Sequence, residues 1–190
     1  MKNWKNEILS VPNILSLFRL LLIPVYIVIY LNARSTADYV LSGMILAVSC
    51  LTDMIDGKIA RKFNMITTVG KILDPLADKA TQLTLLVCLA IRYPVIRILV
   101  ALFTIKESFM LIAGCIAFSK GKMLKSALLS GKISTTVLFI SLIALVTFPN
   151  MSNIIRHIIT ALDAGFMTVA LIDYATTYAN KKDRFQEISF

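Results

Sequence analysis

Charged residues are scarce in this sequence, and their scarcity is the first constraint on its class. Only 16% of the 190 residues are Asp, Glu, Lys or Arg, whereas 57% are hydrophobic, and the mean hydropathy is +0.78. A soluble globule needs more polar surface than this composition supplies. The composition therefore excludes an ordinary soluble protein and indicates an integral membrane protein.

Cysteine and histidine are too few and too scattered to form a metal site. Cys50, Cys88 and Cys115 each lie in an apolar run without metal-ligand spacing, so we interpret them as packing residues. His157, the single histidine, has no ligand spacing beside it. The chain also lacks internal repeats, low-complexity segments and the cleavage site of a secretory signal. We therefore expect one membrane domain covering residues 1–190.

The hydrophobic pattern predicts an all-α membrane protein with six transmembrane helices. The predicted spans cover approximately residues 12–31, 39–62, 71–91, 95–118, 133–148 and 154–178. Residues 2–10 mix Trp4, Ile8 and Leu9 with charged residues, which predicts a short amphipathic helix at the headgroup level. We expect residues 119–132 to form a basic loop.

The basic residues predict the orientation. A net charge of +9 is compatible with a nucleic acid or an anionic membrane surface as partner, and the hydrophobicity favours the membrane, with no nucleic acid. Basic residues outside the spans fall on one side of the bilayer, except Arg34, Arg92, Arg97 and Arg156. By the positive-inside rule, both termini face the cytoplasm of a cell-membrane protein.

Four carboxylates stand at regular spacing in the middle of this apolar chain. Asp53 and Asp56 are three residues apart, and Asp74 and Asp78 are four apart. At about 100° per residue, the first pair shares a helix face to within about 60° and the second to within about 40°. Two neighbouring helices can therefore aim all four into one cleft. Mg²⁺ or Mn²⁺ prefers such oxygen ligands, and two ions can clamp both oxygens of a phosphoryl transfer.

Three residues after the first pair suit the approach of a phosphate-bearing ligand. Gly57 has no side chain and would open a gap where a nucleotide could approach the backbone. Ala60 keeps the same wall low, and Arg61 could reach a phosphate oxygen with its planar guanidinium. The pattern predicts metal-dependent phosphoryl transfer with a nucleotide substrate.

The complete motif, D-x2-D-G-x2-A-R-x8-G-x3-D-x3-D from Asp53 to Asp78, resembles the signature of the CDP-alcohol phosphatidyltransferase family. All of its fixed positions are present. The resemblance implies a six-span membrane enzyme, usually a homodimer, that binds CDP-diacylglycerol or another CDP-linked alcohol and releases CMP. It also implies that Asp56 and Gly70 help to bind the CDP group. Asp53, Asp56, Asp74 and Asp78 would hold the metals, with Asp78 as the general base.

The acceptor needs cationic residues outside the metal site if it carries a phosphate. Lys132, in Ser130-Gly131-Lys132, and Lys106 within the fourth span are candidates, followed by Arg19, because an intramembrane Arg marks a function and should face the interior. Lys106 projects about 100° away from Glu107, so we expect these two residues not to neutralise each other.

Two further carboxylates, Asp163 and Asp173, lie within the last predicted span. We expect them to pair with Arg19 or Lys106, or to lie nearer the helix ends than drawn. A catalytic role is not expected for them.

The acceptor alcohol has several interpretations. The runs Pro12–Arg19 and Asp74–Lys79 most resemble family members that use glycerol 3-phosphate. Lys106-Glu107 departs from the Arg-Glu of those members and from the Arg-Asp of cardiolipin synthases, so phosphatidylglycerol is the alternative acceptor and inositol phosphate a weaker one. An ion transporter is an alternative from another class, although no repeat symmetry accompanies the acidic cluster.

Overall fold

A computed structural model describes residues 11–62, 70–119, 122–124, 128–179 and 185–187, and it describes the backbone course only for residues 11–12, 50–62, 70–72, 118, 122–124 and 185–187. The helices in this part are α1 Val11–Asn32, α2 Thr36–Lys62, α3 Gly70–Arg92, α4 Arg97–Ser119, α5 Leu129–Thr147 and α6 Asn153–Ala179. One 3₁₀ turn, Pro94–Ile96, precedes α4. Two short strands, β1 Lys122–Leu124 and β2 Phe185–Glu187, pair antiparallel. The predicted amphipathic helix at 2–10 lies outside the described residues.

Local sequence explains where several helices begin and end. Before α2, the Asp38 carboxylate accepts the N–H groups of Arg34 and Ser35 at 2.9 and 2.8 Å, and the Ser35 hydroxyl accepts the N–H of Asp38 at 3.3 Å. This reciprocal arrangement is a capping box, and its backbone donors hold the pKa of Asp38 below the usual value. The helices α3 and α5 stop shortly before Pro94 and Pro149, because proline disfavours a helical residue before it.

The helices expose apolar side chains and bury polar ones. Large aliphatic residues are exposed on every described helix, with Leu21 68%, Leu111 69% and Ile154 71% exposed. In water this pattern would be inverted, whereas hydrocarbon accepts apolar surfaces and forces polar groups inward. The chain is therefore a membrane protein. The buried polar side chains include Asn13, Ser16, Arg19, Ser42, Ser49, Gln82, Lys106, Ser134, Arg156, Thr160 and Asp163.

Three described helices are long and apolar enough to cross a bilayer: Asn13–Asn32, Leu129–Thr147 and Asn153–Ala179. The first half of α2, Thr36–Ser49, is a shorter apolar helix. Of the six predicted spans, three therefore have this direct support. Charged motif residues lower the hydropathy of α3, and composition alone does not mark that helix as a span.

The prediction of a basic loop at 119–132 is wrong in two respects, because part of this segment is helical and part is a paired strand. The helix α5 begins at Leu129, four residues before the predicted span, and the N–H of Lys132 already donates to the Leu128 carbonyl at 3.1 Å. Within the same segment β1 pairs with β2, with Lys122 opposite Glu187 and Leu124 opposite Phe185. Local pattern carries no signal for this strand, because its partner lies at the far end of the chain.

The chain forms two compact units. Unit 1 comprises Met1–Arg92 with Ile143–Asn150, and unit 2 comprises Tyr93–Leu142 with Met151–Phe190. In unit 1, α1 packs against both α2 and α3. Unit 2 contains α4, α6, the strand pair and most of α5. The expectation of a single domain stays a prediction.

An aromatic cluster closes one end of unit 1. The rings of Tyr26 and Tyr30 stack with centroids 5.5 Å apart, and Tyr30 meets Tyr39 edge-on at 5.6 Å. The Arg92 guanidinium lies 4.3 Å from the centre of the Tyr39 ring, and the Tyr39 hydroxyl donates to the Ala33 carbonyl at 2.9 Å. These contacts tie the α1–α2 connection to the end of α3, opposite the end where α3 carries its carboxylates.

Candidate active site

The side chains that the structure describes from the predicted metal site lie at the start of α3. Asp74 and Asp78 are both partly buried and are one helical turn apart. Ala77 between them is completely buried, and its carbonyl accepts the hydroxyl of Thr81 at 2.8 Å. A small residue at this position allows a neighbouring helix to approach α3 closely, so the two carboxylates flank a packed helix surface.

Each of these carboxylates receives a hydrogen-bond donor. The hydroxyl of Ser16, on α1, donates to Oδ1 of Asp74, and Ser16 is completely buried. The Nε2 of Gln82, one turn after Asp78, lies 3.4 Å from both oxygens of that carboxylate, which is a long contact. An ionised carboxylate has about four acceptor positions. Both groups therefore keep capacity for a further ligand.

The other half of the motif lies on α2. This helix runs unbroken from Thr36 to Lys62, so it contains Asp53, Asp56, Gly57, Ala60 and Arg61 on one continuous backbone. Its buried positions recur at spacings of three and four residues, and the same register continues through positions 53, 56 and 60. The predicted roles of these side chains stay predictions. Gly70 is the first residue of α3. The buried positions that set the register are Tyr39, Ser42, Leu46 and Ser49.

A cleft opens among α1, α2 and α3 about one turn beyond the carboxylates. Its lining includes Arg19 of α1, Ser49 of α2 and Thr81 of α3 among mostly apolar side chains, and its cavity volume of about 10 Å³ is close to the minimum that holds one water molecule. Arg19 follows Ser16 by three residues, and Thr81 follows Asp78 by three, which corresponds to about 4.5 Å along a helix. Arg19 is 3% exposed and faces the protein interior, as predicted.

The expectation that Lys106 and Glu107 do not neutralise each other is wrong. Lys106 is 2% exposed, and its Nζ lies 2.9 Å from Oε1 of Glu107. The same ammonium lies 5.9 Å from the centre of the Phe103 ring. The Cα–Cβ bonds of adjacent helical residues point about 100° apart, but the long flexible side chain of lysine can still reach the neighbouring carboxylate. The buried ammonium is therefore accommodated as an ion pair.

The run Ser130-Gly131-Lys132 forms part of the first turn of α5 and packs on α6. The Ser130 hydroxyl donates to Oδ2 of Asp173 at 2.5 Å. A Cβ added at Gly131 would lie 2.6 Å from the hydroxyl oxygen of Tyr174 and 2.7 Å from its Cε2. The side chain of Lys132 is exposed. Ser130 and Gly131 therefore contact α6, whereas the side chain of Lys132 lies at the surface.

Asp163 and Asp173 have serine partners in place of the expected cations. Oδ1 of Asp163 accepts the hydroxyl of Ser141 at 3.0 Å, and Asp173 accepts the serine of the first turn of α5. Both bonds join α5 to α6 within unit 2. The expected pairing with Arg19 or Lys106 is therefore not the arrangement that these carboxylates adopt.

Among the side chains that the structure describes, no group of three or more His, Cys, Asp or Glu residues is arranged to hold a metal ion. The side chains of Asp53 and Asp56 lie outside that set. The described geometry is therefore one pair of carboxylates, Asp74 and Asp78, each with a hydrogen-bond donor from the protein.

The family of the chain is decided by matches over most of its length. The family model described as CDP-alcohol phosphatidyltransferase matches residues 9–171. A protein from Aquifex aeolicus (strain VF5), named CDP-diacylglycerol--glycerol-3-phosphate 3-phosphatidyltransferase, is 31% identical over 171 residues, which cover 87% of this chain and 94% of that protein. The chain belongs to the CDP-alcohol phosphatidyltransferase family. It is an enzyme of phosphatidyl transfer, and the transporter interpretation is wrong.

Two further relatives match shorter stretches. A Wigglesworthia glossinidia brevipalpis protein with the same name is 42% identical over 71 residues, covering 37% of this chain and 38% of that protein. A Schizosaccharomyces pombe protein, named cardiolipin synthase (CMP-forming) / mitochondrial hydrolase fusion protein, is 39% identical over 90 residues. That match covers 46% of this chain and 14% of the fusion protein. Of these three matches, the one that covers most of the chain is thus to a protein named for glycerol 3-phosphate.

Sequence reasoning missed Ser16 and Gln82, whose side chains contact the carboxylates of Asp74 and Asp78. Ser16 lies midway between Asn13 and Arg19, and this three-residue recurrence of polar residues in an apolar helix was the available signal. Gln82 could have been found by its four-residue spacing from Asp78. Outside this site, no local signal marks the contact of Tyr174 with Gly131 in unit 2, because it depends on α5 approaching α6.

Replacing Gly131 by Ala tests the docking of α5 on α6. We expect Gly131→Ala to lower the thermal unfolding midpoint of the purified protein in detergent, because the new methyl group overlaps the Tyr174 ring. Overpacking of this kind costs about 1–3 kcal/mol. The matched controls are Gly114→Ala and Gly165→Ala, since an added Cβ meets nothing within 4 Å at either position.

The two control substitutions should leave stability unchanged or raise it by up to about 1 kcal/mol, because alanine is the better helix former. In a Tyr174→Ala background, Gly131→Ala should cost less stability than it does in the wild type, because the ring that the new methyl group meets is absent. Equal behaviour of all three glycine variants would show that α5 does not approach α6 at this point.

Proposed function

We propose that this enzyme transfers a phosphatidyl group from CDP-diacylglycerol to a hydroxyl of glycerol 3-phosphate, releasing CMP and forming phosphatidylglycerol phosphate. The observation that carries the proposal is the complete Asp53-to-Asp78 motif within a chain matched over 94% of a relative named for this reaction. The cardiolipin synthase relative matches less than half of this chain. It therefore supports the alternative acceptor, phosphatidylglycerol, less strongly.

The carboxylates of α3 fit a divalent cation. Asp74 and Asp78 supply carboxylate oxygens, the ligand type that hard cations prefer, one helical turn apart. Each carboxylate accepts a hydrogen bond from the protein and has lone pairs left for a metal ion. We infer that Asp53, Asp56, Asp74 and Asp78 together hold Mg²⁺ or Mn²⁺, with two ions the expected number. Such ions, when bound, neutralise the pyrophosphate and stabilise the charge that develops on its oxygens.

The proposed reaction is a displacement at the phosphorus that carries diacylglycerol. The acceptor hydroxyl oxygen forms a new bond to this phosphorus, the bond to the bridging oxygen breaks, and the electron pair of that bond leaves with CMP. Asp78 accepts the hydroxyl proton as general base. Gln82 supports this role because its amide contacts both oxygens of Asp78 and limits the rotation of the carboxylate.

The nucleotide side of the site is proposed to lie along α2 and at the start of α3. Gly57 and Ala60 leave space beside the helix for the CDP group, and Arg61 pairs with a phosphate oxygen. Asp56 and Gly70 complete this set by family resemblance. The unbroken α2 backbone supports the proposal, because it keeps these α2 positions at fixed helical spacing.

The candidates for the acceptor phosphate differ in support. Arg19 is buried in unit 1 and lines the cleft one turn from Ser16, which contacts Asp74. Lys132 is exposed at the first turn of α5 and is free to reorient. Lys106 has the weakest support, because its charge is already balanced by Glu107.

We also propose that all the described long helices span the bilayer. They contain 19 to 27 residues, or about 28–41 Å, against a hydrocarbon core of about 30 Å. The basic residues favour an active site facing the cytoplasm in the cell membrane. The proposal includes the amphipathic helix at 2–10 and a homodimer, which the family resemblance implies.

Turnover with a panel of acceptors tests the function. Purified protein is assayed in mixed micelles with labelled CDP-diacylglycerol and Mg²⁺, and we expect equal amounts of CMP and phosphatidylglycerol phosphate with glycerol 3-phosphate. Formation of cardiolipin from phosphatidylglycerol, with glycerol 3-phosphate ignored, would replace the preferred acceptor by the alternative. Absence of CMP release with every acceptor, including inositol phosphate, would refute the proposal.

Asparagine replacements test the four carboxylates. We expect Asp53→Asn, Asp56→Asn and Asp74→Asn to abolish turnover at ordinary Mg²⁺, because the ligand charge is lost while size is kept. Asp78→Asn should lower kcat by about 10²–10⁴-fold and retain CDP-diacylglycerol binding better than the others. Asp38→Asn is the control, since Asp38 caps α2 outside the motif. Near-normal turnover of a motif variant would remove that residue from the site.

Alanine replacements test the acceptor cations. Arg19→Ala and Lys132→Ala should each raise the KM for glycerol 3-phosphate, because a charge-assisted bond to phosphate contributes about 1.5–3 kcal/mol, or roughly 10- to 150-fold. The KM for CDP-diacylglycerol should change much less. The exposed Arg97 provides the control Arg97→Ala. Lys106→Ala should have a smaller effect, and a parallel rise in both KM values would contradict an acceptor-specific role.

A further inference from the structure

The first half of α1 buries polar residues where a membrane helix would normally bury small or aliphatic ones. Asn13, Ser16 and Arg19 recur every three residues on one face and are at most 3% exposed. Further along the same helix the buried residues are aromatic, Tyr26 and Tyr30. Burying a polar side chain is costly unless it is hydrogen-bonded. This polar face therefore needs a partner on the helices against which α1 packs.

The partner of Ser16 is Asp74. The Ser16 hydroxyl has one proton, and that proton is donated to Oδ1 of Asp74. The bond joins two different helices of unit 1, fifty-eight positions apart in sequence. It therefore limits the rotation of the carboxylate from outside its own helix. The direction of the second oxygen, Oδ2, is constrained in the same way, because both oxygens belong to one planar group.

The contact of Ser16 with Asp74 can affect metal affinity or the stability of the fold, and the two effects can be measured separately. Carboxylates that bind metals are commonly held by outer hydrogen bonds, and loss of such a bond weakens metal affinity by about 10–100-fold. A bond that only joins helices would instead affect stability. Asp74 is a metal ligand under the proposed function, and Ser16 is fully buried beside it. Replacing the Ser16 side chain by a methyl group would therefore remove this protein donor from Oδ1 of Asp74.

We propose that Ser16 is a positioning residue that orients Asp74 as a metal ligand, so that α1 contributes to the metal site without binding the metal itself. This inference rests on the proposed function, which makes Asp74 a ligand. It assigns a role in catalysis to a helix that carries none of the motif residues.

Binding of Mn²⁺ alone, measured by electron paramagnetic resonance of the free ion, tests the proposal on the purified full chain without lipid substrates. We expect Ser16→Ala to weaken Mn²⁺ binding by about 10–100-fold. Ser16→Thr, which keeps the hydroxyl, should remain within about threefold of the wild type. Ser16→Cys keeps the volume with a weaker donor and should be intermediate.

Ser42→Ala is the matched control. Ser42 is equally buried in unit 1, but its hydroxyl donates to the Asp38 carbonyl within its own helix at 2.9 Å. This variant should bind Mn²⁺ normally. In activity assays, Ser16→Ala should need about 10–100-fold more Mg²⁺ for half-maximal rate and recover most of kcat at saturation. A purely structural role would lower the unfolding midpoint without metal and leave both quantities unchanged.

The outcomes separate this inference from the proposed function. Normal Mn²⁺ binding by Ser16→Ala, together with weakened binding by Asp74→Asn, would overturn the positioning role and leave the ligand role intact. Normal binding by both variants would overturn both, because there would be no ligand to orient. If Ser16→Ala does not fold, Ser16→Cys decides: wild-type affinity overturns the proposal and weakened affinity supports it.

Discussion

A polar group that these helices bury has to find its partner inside the protein, because hydrocarbon offers none. Serine hydroxyls that donate to aspartate carboxylates meet this requirement at three described places. Ser16 joins α1 to α3 at Asp74, and two further bonds join α5 to α6. Those two are Ser130 to Asp173 and Ser141 to Asp163. Each bond crosses between two helices, so the interaction that satisfies a carboxylate also holds neighbouring helices together.

The same interaction joins two helices in unit 2 and reaches a carboxylate of the family motif in unit 1. Asp163 and Asp173 lie outside the family motif, and their bonds dock α5 on α6. Asp74 lies inside the motif, near the start of α3. A metal site on packed helices is held more accurately than one on loops. The protein thus uses one arrangement, a carboxylate held by a hydroxyl from another helix, both between α5 and α6 and at the motif carboxylate Asp74, which we propose as a metal ligand.

The helices that carry the motif, and the burial of Arg19, were predictable because the sequence pattern behind them is local. The spacing of the four aspartates, their placement on two helices and the interior orientation of Arg19 follow from helical periodicity and from the cost of a buried charge. Relations between distant segments were not predictable. The ion pair of Lys106 with Glu107 depends on side-chain conformation, and the contact of Ser16 with Asp74 depends on helix packing. The early start of α5 depends on its docking to α6.

The short strand pair near the end of the chain has a practical consequence for handling the protein. Because Phe185–Glu187 is hydrogen-bonded to Lys122–Leu124, residues 185–187 are part of a structured element. Truncation before Phe185 would remove the backbone partner of the connection between α4 and α5 and leave its N–H and C=O groups to water. An affinity tag fused after Phe190 begins three residues from this pair, so it should follow a flexible spacer.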